Sequence, residues 1–295
     1  MKSFLVRKFG KKKKWDYPII DGITYVHHNP SRGNIGDFLC SPRHYFTWSE
    51  PLENVVIVGG GVFVEFAVPK LKAQSVDFRK AVLWGVGQSI RDESMNNKQV
   101  ASLPYLAWGV RDKNFLSDER RFLPCVSCLH PMLDQGSESD ETLLFLNFDP
   151  KVTPPQALES VCLLAQSNGW RLLFNNCSEG EFRSALACSE RIITNSYHGA
   201  YWGLLSGRRV NLMGYSSKFF SLLKSFGLSS RACFPVGRGS VEDILTALVD
   251  DSFLDAEIKL DDSQCVLAGY RRINICFAES LIEVGLFGGF NLRVA

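Results

Sequence analysis

Short apolar, β-branched runs alternate along this chain with polar or glycine-rich segments and with amphipathic stretches. The runs 23–27 (ITYVH), 55–58 (VVIV), 81–85 (AVLWG) and 106–110 (LAWGV) predict strands, and 122–126 a fifth. The run 55–58 is apolar throughout, which suits a parallel strand covered on both faces. Each run closes on polar or glycine residues: HNPSRGNIGD, GGG, GVGQS and RD. A helix is expected to start at Ile35, and the polar segment 90–100 reads as a loop entering a helix.

The segment 129–141 (LHPMLDQGSESDE) reads as a linker, and a second series follows. It has strands at 142–148, 170–174, 191–194 and 209–213 and helices from Pro154 or Pro155 to 167, at 181–188 and at 199–205. The amphipathic run 240–253 predicts one helix, 263–284 one or two, and the apolar tail LFGGFNLRVA is expected to pack back on a domain. Strand, polar end, helix, repeated, is the pattern of an open parallel sheet whose strand ends face a ligand. The fold class expected is therefore α/β, with two Rossmann-like domains facing across a cleft. The boundaries are a basic segment at 1–20, one domain at 21–135, and a second at 136–295 that includes the C-terminal helices.

Charge changes this picture at one end. Residues 1–14 hold seven Lys or Arg and no acid, which leaves 26 basic and 31 acidic side chains elsewhere. A basic head on a mildly acidic body argues against nucleic acid as a partner. Four lysines at 11–14, flanked by Phe9 and Trp15, suit peripheral contact with an anionic membrane surface; a merely solubilising end fits them as well. The head lacks the apolar core of a signal peptide, and no apolar run is long enough to span a bilayer, so a cytoplasmic protein is expected, peripheral at the inner face of the membrane if the head binds there. Nine scattered cysteines do not read as a disulfide framework. Cys40, Cys162, Cys188 and Cys276 read as small core residues. Cys125 and Cys128 have knuckle spacing but no second pair, and only His130 is close, so no metal and no cofactor is expected.

The candidate chemistry centres on 192–207 (IITNSYHGAYWGLLSG). An apolar strand enters a polar turn with Ser196, Tyr197, His198 and Gly199, and a helix follows. His198 there can donate a proton or bind an anion, with Ser196 and Tyr197 as hydrogen-bonding neighbours. Gly33, Asn34 and Gly36 let a turn approach a ligand, and Asp37 serves either the site or a helix cap. Gly59, Gly60 and Gly61 leave room for a substrate against backbone. Arg111 can hold a phosphate or carboxylate, and Asp112 reads as a cap or ion-pair partner. Of His27, His28 and His44, one can face the cleft.

GNIGD at 33–37, VIVGGG at 56–61, WGVGQS at 84–89, GVRD at 109–112 and ITNSYHGA at 193–200 occur in the order seen in the polysaccharide pyruvyltransferase family, and the chain resembles that family over roughly 30–215. The resemblance implies a GT-B-like fold. It implies transfer of a pyruvyl unit from phosphoenolpyruvate to hydroxyls of a saccharide, lipid-linked or free, in bacterial surface polysaccharide synthesis. It places Asp37 in the acceptor cleft as a base, His198 as the acid and Arg111 as an anchor. Many relatives carry arginine where this chain has Ser196, so Arg208, Arg209 or Lys218 must supply that charge. Otherwise a nucleotide-sugar glycosyltransferase is the better reading; a non-catalytic binding protein is the third. Because the two motifs lie in different halves, cleft closure is expected to bring Arg111 and His198 together.

Overall fold

The computed structural model describes residues 17–27, 33–61, 71, 75–89, 103–136 and 139–293. The basic head, His28 and the segment 90–100 lie outside them. Two five-stranded sheets carry the fold. In the first, β1 (Ile19–Ile20) runs antiparallel to β2 (Ile23–Val26), and β2, β4 (Val56–Val58), β5 (Ala81–Val86) and β6 (Ala107–Val110) follow in parallel. In the second, β11 (Cys233–Pro235), β10 (Arg209–Gly214), β9 (Ser189–Thr194), β7 (Glu141–Leu146) and β8 (Arg171–Phe174) lie side by side, all parallel. Interior β7 has no exposed surface at Leu143, Leu144, Phe145 or Leu146, as a strand covered on both faces requires. Two α/β units thus lie side by side, and residues that follow strands of both sheets line a common cleft.

Three expectations are corrected. The strand expected at 122–126 reduces to one parallel bridge between Val110 and Phe122, because Pro124 has no N–H to continue a ladder. The helix expected over 240–253 is two, α6 (Val241–Val249) and α7 (Asp251–Asp255). The Asp250 carboxylate between them accepts from the N–H groups of Ser252 and Phe253 and starts the second helix afresh. Cys162 and Cys276 are exposed and Cys188 half-buried, whereas Cys40 is buried as expected. The segment 129–134 is also no bare connector: it holds a 3-10 turn, Pro131–Asp134, with Met132 and Leu133 buried.

The remaining elements are α1 (Ile35–Leu39), β3 (Phe46–Ser49), α2 (Leu158–Ser167), α3 (Glu179–Cys188), α4 (Tyr197–Leu205), α5 (Ser217–Ser225), α8 (Ser263–Glu283) and β12 (Gly289–Leu292). Helix α8 crosses between the two units. Its Leu267 and Tyr270 join a core that contains Phe145, Tyr201 and Leu212 of the second unit. Its Ala278 and Leu281 join Ile57, Val82 and Trp84 of the first. The tail then pairs β12 antiparallel with β3, so residues 289–292 sit against the first unit. Ile35, Leu39, Cys40 and Cys125 share the Phe145 core, so one apolar core runs through both units.

Asn274, in the middle of α8, locks that crossing. It accepts from the Trp84 indole N–H at 2.7 Å and donates to the carbonyls of Pro124, at 3.3 Å, and Tyr270, at 3.0 Å. Asn274→Leu strands a buried indole N–H and should lower unfolding stability by about 1–3 kcal/mol in urea titration. Adding Trp84→Phe, which removes the stranded donor, should recover part of the loss.

Candidate active site

Helix α1 forms one wall. Asn34, extended, is its cap: its carbonyl oxygen accepts from the N–H groups of Gly36 at 3.0 Å and Asp37 at 3.4 Å. That frees Asp37 from capping; its carboxylate accepts from Asn34 Nδ2 at 3.2 Å and lines the cleft. Gly36 has a different task. A Cβ there would lie 2.1 Å from His198 Nδ1, so the imidazole of one unit rests directly on the helix backbone of the other. The three glycines after β4 divide in the same way. A Cβ on Gly59 would meet the Cys40 carbonyl at 2.9 Å and one on Gly60 the Gly85 carbonyl at 2.6 Å, so both serve backbone packing. Gly61 alone of the three lines the cleft, with Asp37 Oδ1 2.9 Å from its absent Cβ.

Arg111 leaves the end of β6 and passes under Gly87, where a Cβ would fall 2.6 Å from its Nε. Its guanidinium lies 4.1 Å over the Tyr197 ring. Arg111 is only 4% exposed, yet its Nε and one terminal nitrogen have no hydrogen-bond partner among the described residues. Asp112 is fully buried, accepts from the backbone N–H of Gln88 and acts on Arg111 through its charge; its side chain does not cap the next turn.

The second unit supplies the opposite wall. Thr194 at the end of β9 donates to the Phe145 carbonyl and accepts from Ser196 N–H at 2.9 Å, which shapes the turn into α4. Gly199 lets that turn close, since a Cβ would meet Phe145 and Thr194 at 2.6 Å. Neither α4 nor α5 has a side-chain cap: Ser196 and Ser216 leave the first-turn N–H groups to other partners. Among the bonds that join the two units here are Ile35 N–H to the Asn175 carbonyl at 2.8 Å and Ser89 Oγ to Ser216 Oγ at 3.1 Å.

Between the walls lies a cavity of about 690 Å³. Of the residues expected at the site, it brings together Gly33, Asn34, Asp37, Gly61, Arg111, Ser196, Tyr197 and His198. Gly36, Gly59, Gly60 and Gly199 stand behind its surface. His27 packs by Tyr17 and His44 by Phe38, and neither lines it. Arg208 is consumed by the carbonyls of Ser206, Gln135 and Leu186, and Arg209 by Glu190 and Glu257. Lys218, in the first turn of α5, reaches the cavity, its Nζ 2.9 Å from the Tyr215 hydroxyl. Arg238, 3.6 Å from Asp149, adds another cation. Arg111 already stacks on Tyr197, so no closure is needed to bring the two motifs together.

Desolvation governs protonation here. Asp37 keeps some surface toward the cavity, but its carboxyl is packed deep among protein atoms. That raises its pKa from the ordinary 3.8 to about 7, against the pull of Lys218 and Arg111. Burial, and then the charges of Arg111 and Lys218, push His198 well below 6.5, so the imidazole is neutral at pH 7. The site thus pairs a carboxyl poised near neutrality with an uncharged imidazole and a fixed guanidinium. That set can hold an anion and pass a proton.

No protein-family model matches the chain, and no curated protein matches it. Among solved structures it is similar to the glycotransferase of kitacinnamycin, at 13% identity and a TM-score of 0.37, over 79% of this chain and 70% of that one.

Several lining residues went unnoticed in the sequence. Asn147, Phe148 and Asp149 follow β7, Asn175 and Asn176 follow β8, and Tyr215 follows β10. The rule that parallel strand ends face the ligand would have found them. Arg238 sits in an irregular segment that carried no signal.

Gly36→Ala drives a methyl into the His198 ring and should cost about 1–3 kcal/mol of stability; adding His198→Ala should restore most of it in thermal unfolding. The raised Asp37 pKa makes a second expectation. Between about pH 4 and 7 the folded chain keeps a proton that the unfolded chain has released, so stability falls as pH rises through that window. Asp37→Asn lacks that decline, and its melting temperature should exceed the wild type's by more at pH 8 than at pH 4.

Proposed function

We propose that the cleft binds a phosphorylated donor and transfers its organic group to a saccharide hydroxyl, with phosphoenolpyruvate as the donor. The observation that carries this reading is Arg111, a buried guanidinium with unspent donors, set beside a carboxyl that titrates near 7. Donors left unspent on a buried guanidinium are costly, and an anionic ligand that accepts from them removes that cost. Phosphoenolpyruvate presents a carboxylate and a phosphate, and the cavity offers Arg111, Lys218 and Arg238 to meet them. Lys218 supplies the charge for which Ser196 left no arginine.

In this reading Asp37 handles the proton. As the acid it protonates the methylene carbon through the electron pair of the double bond, leaving an oxocarbenium-like centre on the carbon that bears phosphate. An acceptor hydroxyl adds to that carbon, and its proton passes to the Asp37 carboxylate. Phosphate leaves as a second hydroxyl of the sugar adds and closes a ketal, and the proton of that hydroxyl departs with the phosphate. Arg111 fixes one anion of the donor, and neutral His198 offers a hydrogen bond at the reacting end.

A nucleotide-sugar donor is the second reading. It is favoured by the two uncapped helix N-termini, which suit a diphosphate, and by Phe148, 49% exposed, with Tyr215 beside the cavity as a face for a nucleobase. There Asp37 must act as an ionised base. The two readings therefore give opposite pH limbs. With phosphoenolpyruvate, kcat/KM should fall as pH rises through about 7; with a nucleotide sugar it should rise through the same value. Calorimetry with phosphoenolpyruvate and a panel of nucleotide sugars separates them directly. Arg111→Ala should weaken donor binding by about 2–5 kcal/mol, and Asp37→Asn should lower turnover by about 10²–10⁴-fold. Saturable binding of a nucleotide sugar with none of phosphoenolpyruvate would overturn the donor assignment.

A further inference from the structure

Behind His198, on the side away from the cavity, a line of buried polar atoms runs into the shared core. Trp202 Nε1 donates to Ser127 Oγ at 2.9 Å. Ser127 Oγ lies 3.2 Å from Cys125 Sγ, and Cys125 Sγ lies 3.6 Å from His198 Nε2. Trp202, Ser127 and Cys125 have no exposed surface, and His198 has 6%. Each spacing is within reach of a hydrogen bond, the last two being long because sulfur is large and soft.

The first member sets the direction of the rest. An indole N–H can only donate, so Ser127 Oγ is an acceptor toward Trp202. The hydroxyl proton of Ser127 then has one side-chain partner among the described residues, the sulfur of Cys125. If Ser127 donates to Cys125, the thiol proton is free for His198 Nε2. The opposite polarity would send the thiol proton to Ser127 and leave the hydroxyl proton of a fully buried serine with no acceptor. Burial also raises the Cys125 pKa, so the sulfur keeps its proton to give. His198 Nε2 is then an acceptor. The single proton of the neutral imidazole sits on Nδ1, which lies over Gly36 and has no hydrogen-bond partner among the described residues.

We propose that Trp202, Ser127 and Cys125 form a positioning relay that holds His198 in its Nδ1–H tautomer and so presents an N–H donor to an anionic oxygen of the ligand in the cleft. His198 is then an uncharged electrophilic donor and takes no proton from the acceptor hydroxyl. Proton transfer falls to Asp37. The role of that N–H rests on the cleft reading above; the tautomer does not.

Imidazole-15N labelling of the full chain tests this without any substrate. The chain has five histidines, and His198→Gln identifies the signals of the one that matters. At pH 7 the long-range 1H–15N spectrum should show a pyrrole-type Nδ1 and a pyridine-type Nε2 for His198. Cys125→Ser, which keeps a donor at the same place, should preserve that pattern. Cys125→Ala should return His198 toward the Nε2–H form that free histidine favours. A pyridine-type Nδ1 in the wild-type protein overturns the relay, and so does an unchanged pattern in folded Cys125→Ala. The wild-type spectrum decides on its own if that variant does not fold. Absence of phosphoenolpyruvate and nucleotide-sugar binding in calorimetry, with the wild-type pattern as expected, would defeat the cleft reading and leave the relay standing.

Discussion

The structure depends on one contact that only a glycine permits. His198, leading α4 of the second unit, lies on the backbone of α1 in the first, at a place where any Cβ at position 36 would collide with its ring. That contact sets the depth to which α1 enters the second unit. It brings Ile35 N–H to the Asn175 carbonyl, and it lets Ile35, Leu39 and Cys40 join the core around Phe145. Asp37, one residue on, is carried into the same region and loses much of its water. The protonation of the site thus follows from packing: desolvation comes first in shifting both Asp37 and His198, and neighbouring charges come after it.

The second consequence is electrostatic. Arg111, Lys218 and Arg238 face a cavity whose carboxylates are Asp37, poised near neutrality, and Asp149, held by Arg238. Buried polar atoms in folded proteins are normally satisfied, and unspent donors on a 4% exposed guanidinium are the kind of exception that marks a site. The cation–π stack on Tyr197 holds Arg111 in place without using its N–H groups, so they remain available to a ligand.

Rigidity is the third. Two α/β units often move as bodies about a cleft. Here a continuous apolar core passes beneath the cleft, α8 spans both units, and Asn274 ties the middle of that helix to Trp84 and Pro124. The catalytic candidates therefore already stand around one cavity in this arrangement. This is why the turns that carry Arg111 and His198 share the cavity without the closure that their separation along the chain suggested.

Most of the sheet could be read directly. The apolar runs at 23–27, 55–58, 81–85, 106–110, 142–148, 170–174, 191–194 and 209–213 all contain strands, because a parallel strand buried on both faces must be apolar along its length. Their polar ends marked Asp37, Arg111 and His198, since strand ends are where such sheets face a ligand. The pairing of β12 with β3 was not legible, because it joins residues about 240 positions apart and no local pattern records a partner. Nor was the division of labour among the glycines, which depends on what lies opposite each one. The sequence by itself determined the α/β class and the residue types available for chemistry, because periodicity and strand-end polarity are local properties. Tertiary structure alone decided that Lys218 rather than Arg208 or Arg209 reaches the cleft, that Asp37 titrates near 7, and that Cys125 stands behind His198. Charge, desolvation and hydrogen-bond direction are set by neighbours in space, and those neighbours come from distant parts of the chain.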